Sequence, residues 1–229
     1  MKPLKQLLLF SGKFQRYANL VSSLLQPKAS DDVLHVGCGN GKYLRTIHQK
    51  VKTVAGLDRS SARIRKACFR CRLLNDHAGV RLRAGSVRHM PWADHSFSLI
   101  FSDAVLETSI NPEEHLLECL RLLRPGGKLL VRVQHHVVHP PKPYELRSLG
   151  RAFHHYTLES LRNRLESSGF HCLPLPEISE TQRSSDLWML ARKPLGVVQP
   201  QEEMLMRTIP VFRQHSSLIE ANGRVTDNS

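Results

Sequence analysis

Apolar runs and helical spacings alternate along the chain. In FQRYANLVSSLL, Phe14, Tyr17, Leu20, Val21, Leu24 and Leu25 recur at three- and four-residue intervals, which predicts an amphipathic helix with a buried stripe. DVLHVGCG follows as a buried strand closed by glycines, KYLRTIHQ starts a helix, and TVAGLD is a second strand. Residues 60–74 read as a helix, VRLRAGS as a third strand and SFSLIFS as a fourth. NPEEHLLECLRLL carries a helix start signal: Asn111 at the N-cap, Pro112 in the first turn, and Glu113 and Glu114 near the positive end of the dipole. Pro125, Gly126 and Gly127 stop that helix, and KLLVRVQ is a fifth strand.

Strands that alternate with helices, and that are too apolar to leave one face wet, predict a doubly wound α/β sheet, mostly parallel and covered on both sides. After Gln134 the pattern lapses into a His- and Pro-rich loop over 135–156. TLESLRNRLESSGF is then a helix capped by Thr157, with Ser160 where a glutamate would complete a capping box and Gly169 at its end. HCLPLPEI and DLWMLARK predict a closing antiparallel pair. Three segments result: a basic stretch with its leading helix over 1–30, one domain over 31–195, and a polar tail over 196–229 expected to be mostly disordered.

A length of 229 residues with 41% hydrophobic content fits one domain with appendages. No run approaches the roughly 20 apolar residues of a membrane span. Residues 1–30 hold Lys2, Lys5, Lys13, Arg16 and Lys28 and no acid. A targeting peptide would favour Arg and Ser, so the preferred reading is a packed helix in a soluble, cytoplasmic protein, with an organellar destination as the alternative. Cys38, Cys68, Cys71, Cys119 and Cys172 are odd in number and scattered, which points to a reducing compartment. Cys68 and Cys71 lack the second pair that a structural zinc needs, so they read as thiols on a buried helix face and no metal is expected.

The formal net charge of +13 changes the picture more. Residues 196–229 hold three basic and four acidic residues, so the excess lies wholly upstream. Between Asp58 and Asp76 stand Arg59, Arg63, Arg65, Lys66, Arg70 and Arg72 without an acid. On a helix, positions 59, 63, 66 and 70 share one face, and Ile64, Ala67, Cys68, Cys71 and Leu74 make the buried one. Such a stripe attracts RNA, DNA or an anionic membrane surface; the plainer reading is a solvated basic face.

Site chemistry begins at DVLHVGCGNGKYL. Gly37, Gly39 and Gly41 directly after a strand let the backbone turn tightly and approach a ligand. A dinucleotide fingerprint asks for G-x-G-x-x-G, whereas the spacing here is G-x-G-x-G; a P-loop asks for Lys followed by Ser or Thr, whereas Lys42 precedes Tyr43. Asp58, at the end of the second strand, can accept both ribose hydroxyls of an adenosine laid across the strand ends. Loop, acid and strand order together imply an adenosine-containing ligand without demanding a diphosphate.

VLHVGCGNGKYL, VAGLDRS, AGSVRHMPWADHSFSLIFSDAVLE, LLRPGGKLLVRV and HHYTLESLRNRLESSGF resemble, in this order, the successive motifs of class I S-adenosylmethionine-dependent methyltransferases, particularly the methyltransferase type 11 group with its quinone-biosynthesis enzymes. GCGNGKYL and LLRPGGK are also similar to tRNA wobble-uridine methyltransferases. The likeness spans about residues 14–193 and implies a Rossmann-like fold, S-adenosyl-L-methionine as cofactor and methyl transfer as the reaction. It implies that Gly37, Cys38, Gly39 and Gly41 wrap the methionine end, that Asp58 binds the ribose, that Ser86 and Val87 flank the adenine, and that Ser102 and Asp103 face the transferred methyl. His35, Ser86 and Ser98 stand where the family commonly has acids. Ser98 is expected to be structural. His35 and Ser86 each exchange a charge-assisted bond for a neutral one, a loss of roughly 1 kcal/mol or fivefold to tenfold in affinity per site. That weakens binding without abolishing it.

Transfer from a sulfonium needs an aligned nucleophile and, where the nucleophile carries a proton, a base. The candidates near the strand ends are Asp103, Glu107, His135, His136, His154 and His155. A metal on His135, His136 and His139 would lack an accompanying carboxylate. The chain has no Asn-Pro-Pro-Tyr segment for a base amine and no suitably placed cysteine for a pyrimidine carbon, so a small-molecule acceptor is the default, with RNA through the helix at 59–72 as the alternative. The non-enzymatic alternative is a degenerate methyltransferase fold that binds a partner or RNA with little turnover. Nothing in the sequence speaks to the oligomeric state.

Overall fold

Apolar segments without a wet face pair edge to edge into the sheet that the pattern predicts. The computed structural model describes residues 12–72, 79–134, 154–176 and 186–196. Its strands are β1 (Asp32–Val36), β2 (Thr53–Asp58), β3 (Val80–Ala84), β4 (Phe97–Asp103), β5 (Leu123–Val133), β6 (His171–Leu173) and β7 (Leu187–Arg192). Its helices are α1 (Gly12–Leu25), α2 (Lys42–Ile47), α3 (Ser61–Arg72), α4 (Pro112–Leu122) and α5 (Leu158–Ser167). The strand order is β3-β2-β1-β4-β5-β7-β6. β1 to β5 are parallel to one another, and β7 runs antiparallel to both β5 and β6. The winding reverses between β1 and β4, and in an open α/β sheet that reversal leaves a crevice at the carboxyl ends of the strands.

Period-two alternation sends successive residues to opposite faces. Val33, Leu99, Phe101 and Leu130 pack with Val21 and Leu24 of α1, Tyr43, Leu44 and Ile47 of α2, and Ile64 of α3. Leu34, Val36, Ile100, Leu129 and Val131 pack on the other face with Leu116 and Leu120 of α4 and Leu161 and Leu165 of α5. The caps follow the sequence reading: Asn111 accepts the Glu114 amide at 3.4 Å. Thr157 and Ser160 exchange amide-to-hydroxyl bonds of 2.9 and 3.1 Å, so the serine closes the capping box itself.

Two details differ from expectation. α4 ends at Leu122, ahead of the Pro-Gly-Gly, and β5 begins at once: Leu123 pairs with Phe97, and the register resumes at Leu99 and Lys128 past Gly126, whose φ is 75°. The Pro-Gly-Gly therefore kinks a strand instead of separating a helix from one. β6 covers only the start of HCLPLPEI, because Pro174 has no amide hydrogen to give a ladder. Positions 135–153 of the variable loop, with His135, His136 and His139, and the tail from 197 lie outside the described residues. No helix among the described residues is long and apolar enough to cross a membrane.

Candidate functional site

The chain leaving β1 turns over the end of β2, where the amides of Gly37 and Cys38 both donate to the Leu57 carbonyl at 2.8 and 3.0 Å. Gly37, Gly39 and Gly41 have φ of 78°, 54° and 75°, the left-handed region that a side chain disfavours. Their surroundings separate them. A Cβ at Gly37 would stand 2.4 Å from Val105 Cγ2, and one at Gly41 2.9 Å from the Ala67 Cβ on α3; one at Gly39 would meet nothing within 4 Å. Gly37 and Gly41 are packing glycines, and Gly39 borders open space. Asp58, buried at the end of β2, holds this loop: one carboxylate oxygen accepts the Gly39 amide at 2.9 Å and the other the Ser60 amide at 2.8 Å. A carboxylate offers about four lone-pair sites, so both oxygens can take a further donor. The ribose role is an expectation from spacing; the loop-holding role emerges only from the fold.

His35 is buried on the α1 side of β1, its ring stacked on Phe101 with centroids 4.8 Å apart and set edge-on to Tyr43 at 5.4 Å. Asp103 lies one pleat beyond Phe101 on the same face of β4 and directly opposite Arg132 of β5. Arg132 donates through Nε to Asp103 at 2.5 Å and through Nη1 to Asp186 at 2.6 Å. The Tyr17 hydroxyl, from α1, donates to Asp103 Oδ2 at 2.6 Å, and His35 Nε2 stands 3.6 Å from that oxygen. Burial by itself would raise the Asp103 carboxyl, but Arg132, His35 and Tyr17 outweigh it and hold the group well below the usual carboxylate range. Position 35 has no acid, yet an ionised carboxylate from β4 stands beside it.

Glu107, in the 3₁₀ turn Leu106–Thr108, is fully buried. Its Oε1 accepts the Gln134 amide at 3.0 Å and its Oε2 has no hydrogen-bond partner among the described residues. Burial pushes the carboxyl up to about 7 against the pull of that amide and of Arg132. The Tyr156 hydroxyl is also buried without a hydrogen-bond partner among the described residues, and burial, followed by the Glu107 charge, raises its pKa. His154 ties this segment to the turn, its amide donating to the Glu107 carbonyl at 2.8 Å and its Nε2 to that of Ser109 at 3.0 Å. Of the candidate bases, the fold gathers Asp103 and Glu107 at the end of β4 with His154 beside them; His155 is exposed, and His135 and His136 are outside the described residues.

Ser102 departs from expectation. Alternation along β4 turns its side chain away from Asp103 and onto α4, where its Oγ lies 3.1 Å from His115 Nε2, both residues being fully buried. Burial pushes that imidazole down to about 4, so it is neutral at pH 7. Ser86 is exposed and accepts the Arg88 amide at 3.2 Å, and Val87 is half-buried against the core. Ser98 donates to Asp31 at 2.8 Å and accepts the Asp32 amide at 3.1 Å, the structural role expected of it. Cys38 is buried, and burial followed by the Asp58 charge raises its thiol, which stays protonated at neutral pH. Among the described residues no group of three or more His, Cys, Asp or Glu could hold a metal ion. Arg132, Asp186 and Tyr156 escaped the sequence reading, and Tyr17 entered it only as an apolar position of a helix. Arg132 does carry a signal, since a charge inside the apolar run KLLVRV demands a buried partner.

The family described as the methyltransferase domain matches residues 34–131. That stretch of the chain is similar to the methyltransferase domain, and the seven-stranded α/β sheet is the fold that the likeness implies. The chain is 26% identical over 224 residues to a probable S-adenosylmethionine-dependent methyltransferase of Mycolicibacterium smegmatis, covering 94% of this chain and 85% of that protein. It is 34% identical over 108 residues to a tRNA U34 carboxymethyltransferase of Shewanella sediminis, which is 47% of this chain but only 32% of that enzyme. A chain from the complex between the Haloferax volcanii Trm112 methyltransferase activator and a methyltransferase superposes with a TM-score of 0.65 at 17% identity, over 80% of this chain and 92% of its own. At that identity the likeness speaks for the fold alone. The open side of Gly39, the spare lone pairs of Asp58 and the ionised Asp103 suit a ligand with a ribose and two cationic centres.

Proposed function

We propose that the protein moves a methyl group from S-adenosylmethionine to a small-molecule acceptor seated over the carboxyl ends of β4 and β5. The observation that carries this reading is the charge found there. Asp103 and Glu107 stand at the transfer end, and Asp186 shares Arg132 with Asp103, while Arg59, Arg65, Lys66, Arg81 and Arg83, exposed on or beside α3 and on β3, have no ion pair among the described residues. A polyanion would be repelled at that end; a neutral or cationic small acceptor would not.

In this reading Gly37, Cys38, Gly39 and Gly41 line the methionine end, Asp58 accepts from the ribose, and Ser86 and Val87 flank the adenine. The bound cofactor supplies a methyl already activated on a sulfonium, which leaves the chain to align the acceptor and manage its proton. Glu107 Oε2, without a hydrogen-bond partner among the described residues and on a group whose pKa is about 7, takes a proton from an acceptor hydroxyl or amine, and the Tyr156 hydroxyl orients the acceptor. Asp103 supplies, from β4, the negative charge that position 35 lacks. The second reading, a methyltransferase fold that binds without turnover, draws on Ser86, which offers the adenine only a neutral hydroxyl.

The test incubates the protein and cofactor labelled at the methyl with a cellular small-molecule extract and, separately, with cellular RNA. Label is expected in the small-molecule fraction and not with Glu107→Gln. Label confined to RNA would overturn the acceptor assignment. A folded sample giving no calorimetric heat with millimolar cofactor would sink turnover altogether.

A further inference from the structure

The basic excess is concentrated. Residues 59–88 hold nine Lys and Arg against a single acid, Asp76. Arg59, Arg63, Arg65 and Lys66 on and beside α3, and Arg81 and Arg83 on β3, are all exposed. Arg63 lies 3.8 Å from Asp58 and Arg88 2.5 Å from Glu114. Arg59, Arg65, Lys66, Arg81 and Arg83 have no carboxylate within ion-pair distance among the described residues; Arg83 donates instead to the Leu82 carbonyl at 3.0 Å and Arg81 lies over the Phe97 ring. Within this field Phe69 is 66% exposed. Helical spacing sets it one turn from Arg65 and Lys66. The core makes no use of its ring, because Ile64, Ala67 and Cys71 fill the buried side of α3. β3 is the edge strand, and its pairing sets Arg81 and Arg83 level with Ala55 and Leu57, on the face of the sheet away from α3, so the helix carries its basic face by itself.

We infer that the outer face of α3 is a docking surface for a single-stranded polynucleotide. Guanidinium groups match phosphate oxygens in a bidentate fork. An exposed aromatic ring offers a stacking platform that only an unpaired base can use, since duplex bases already stack on one another. A membrane surface fits less well: an interfacial helix needs an outward apolar stripe, and the apolar stripe of α3 faces the sheet, leaving Phe69 alone among cations. β3 is three strands from β4, about 14 Å at the usual strand spacing, so a docked strand leaves the transfer end clear. The inference therefore stands whether or not the acceptor is a small molecule.

Fluorescence anisotropy of the full chain with labelled single strands of about 16 nucleotides, RNA and DNA of one sequence, tests it over a salt series, with the duplex of that sequence and phosphatidylserine–phosphatidylcholine vesicles as comparisons. Single strands should bind more tightly than duplex, with a log–log salt slope of about −3 for roughly four phosphate contacts. Arg65→Glu with Lys66→Glu should bring the slope to roughly −1.5. Phe69→Ala should weaken binding about tenfold and leave the slope unchanged. Both nucleic acids binding, or either one, supports the surface. Absent or salt-independent binding, an unchanged affinity in Phe69→Ala, a preference for duplex, or binding to vesicles alone overturns it. These positions are exposed, so melting temperature and cofactor affinity should match the parent; a loss of cofactor affinity would move the residues into the cofactor site and also overturn it.

Discussion

Replacing Asp103 by asparagine tests whether the carboxylate beside His35 organises the methionine end of the site. The side chain accepts from Tyr17 at 2.6 Å and from Arg132 at 2.5 Å, both of them donors. Asparagine keeps the shape but has one oxygen, so its NH₂ must face one of those donors. Charge-assisted bonds are worth about 1.5–3 kcal/mol each. Arg132 keeps Asp186, at 2.6 Å, which holds the total below the top of the 3–5 kcal/mol range for a broken buried pair. A loss of about 3 kcal/mol is expected. In a chain of this size 1 kcal/mol corresponds to about 2–4 °C, so the melting temperature should fall by about 10 °C at pH 7. The pH dependence follows from the direction of the shift. Asp103 titrates below its unfolded value, so its stabilisation is complete above about pH 4 and is lost as the pH falls through the folded pKa; the gap between parent and variant should shrink in acid. Tyr17→Phe removes one of the two bonds and should lower the midpoint by about 4 °C. Thermal melts from pH 7 down to about pH 3 check all three statements. An Asp103→Asn midpoint within about 2 °C of the parent, or a gap that widens in acid, would refute the network.

Glu107 behaves in the opposite sense. Its folded pKa of about 7 lies above the ordinary 4.5, so the parent should lose stability as the pH rises between those values, by roughly 3 kcal/mol, and Glu107→Gln should abolish that slope in equilibrium unfolding. As the proposed base it should also make methyl transfer rise with pH through about 7, and the glutamine variant should show a flat, low profile. Gly41→Ala, at φ 75° and 2.9 Å from the Ala67 Cβ, should cost about 2–3 kcal/mol in denaturant unfolding. Gly39→Ala meets no neighbour and should cost about 1 kcal/mol, yet weaken cofactor binding more in calorimetry; equal effects at the two glycines would remove the open side of Gly39 from the site. Asp58→Ala should weaken the cofactor tenfold or more, and an unchanged dissociation constant would remove Asp58 from the ribose position.

Element type and order were legible because period-two and period-3.6 patterns are local, and so were the glycine loop, Asp58 and the caps. What stayed hidden depends on register, which no local pattern contains. Read one position at a time, His35 is the loss of an acid. In the sheet, His35 pairs with Phe101, and the pleat then returns Asp103 to the same face, opposite Arg132. Tyr17, counted in the sequence as one more apolar position of an amphipathic helix, brings a hydroxyl to that carboxylate across 86 residues. The same alternation explains the misplacement of Ser102: neighbours on a strand face opposite ways, so Ser102 and Asp103 cannot both look into the site, and His115 beneath α4 claims the serine. A charge missing from a motif is therefore to be sought one pleat along the adjoining strand before the site is taken for a relic. In this chain the carboxylate found there is ionised, held in a network that no single motif contains: Tyr17 from α1, Arg132 from β5 and Asp186 just ahead of β7.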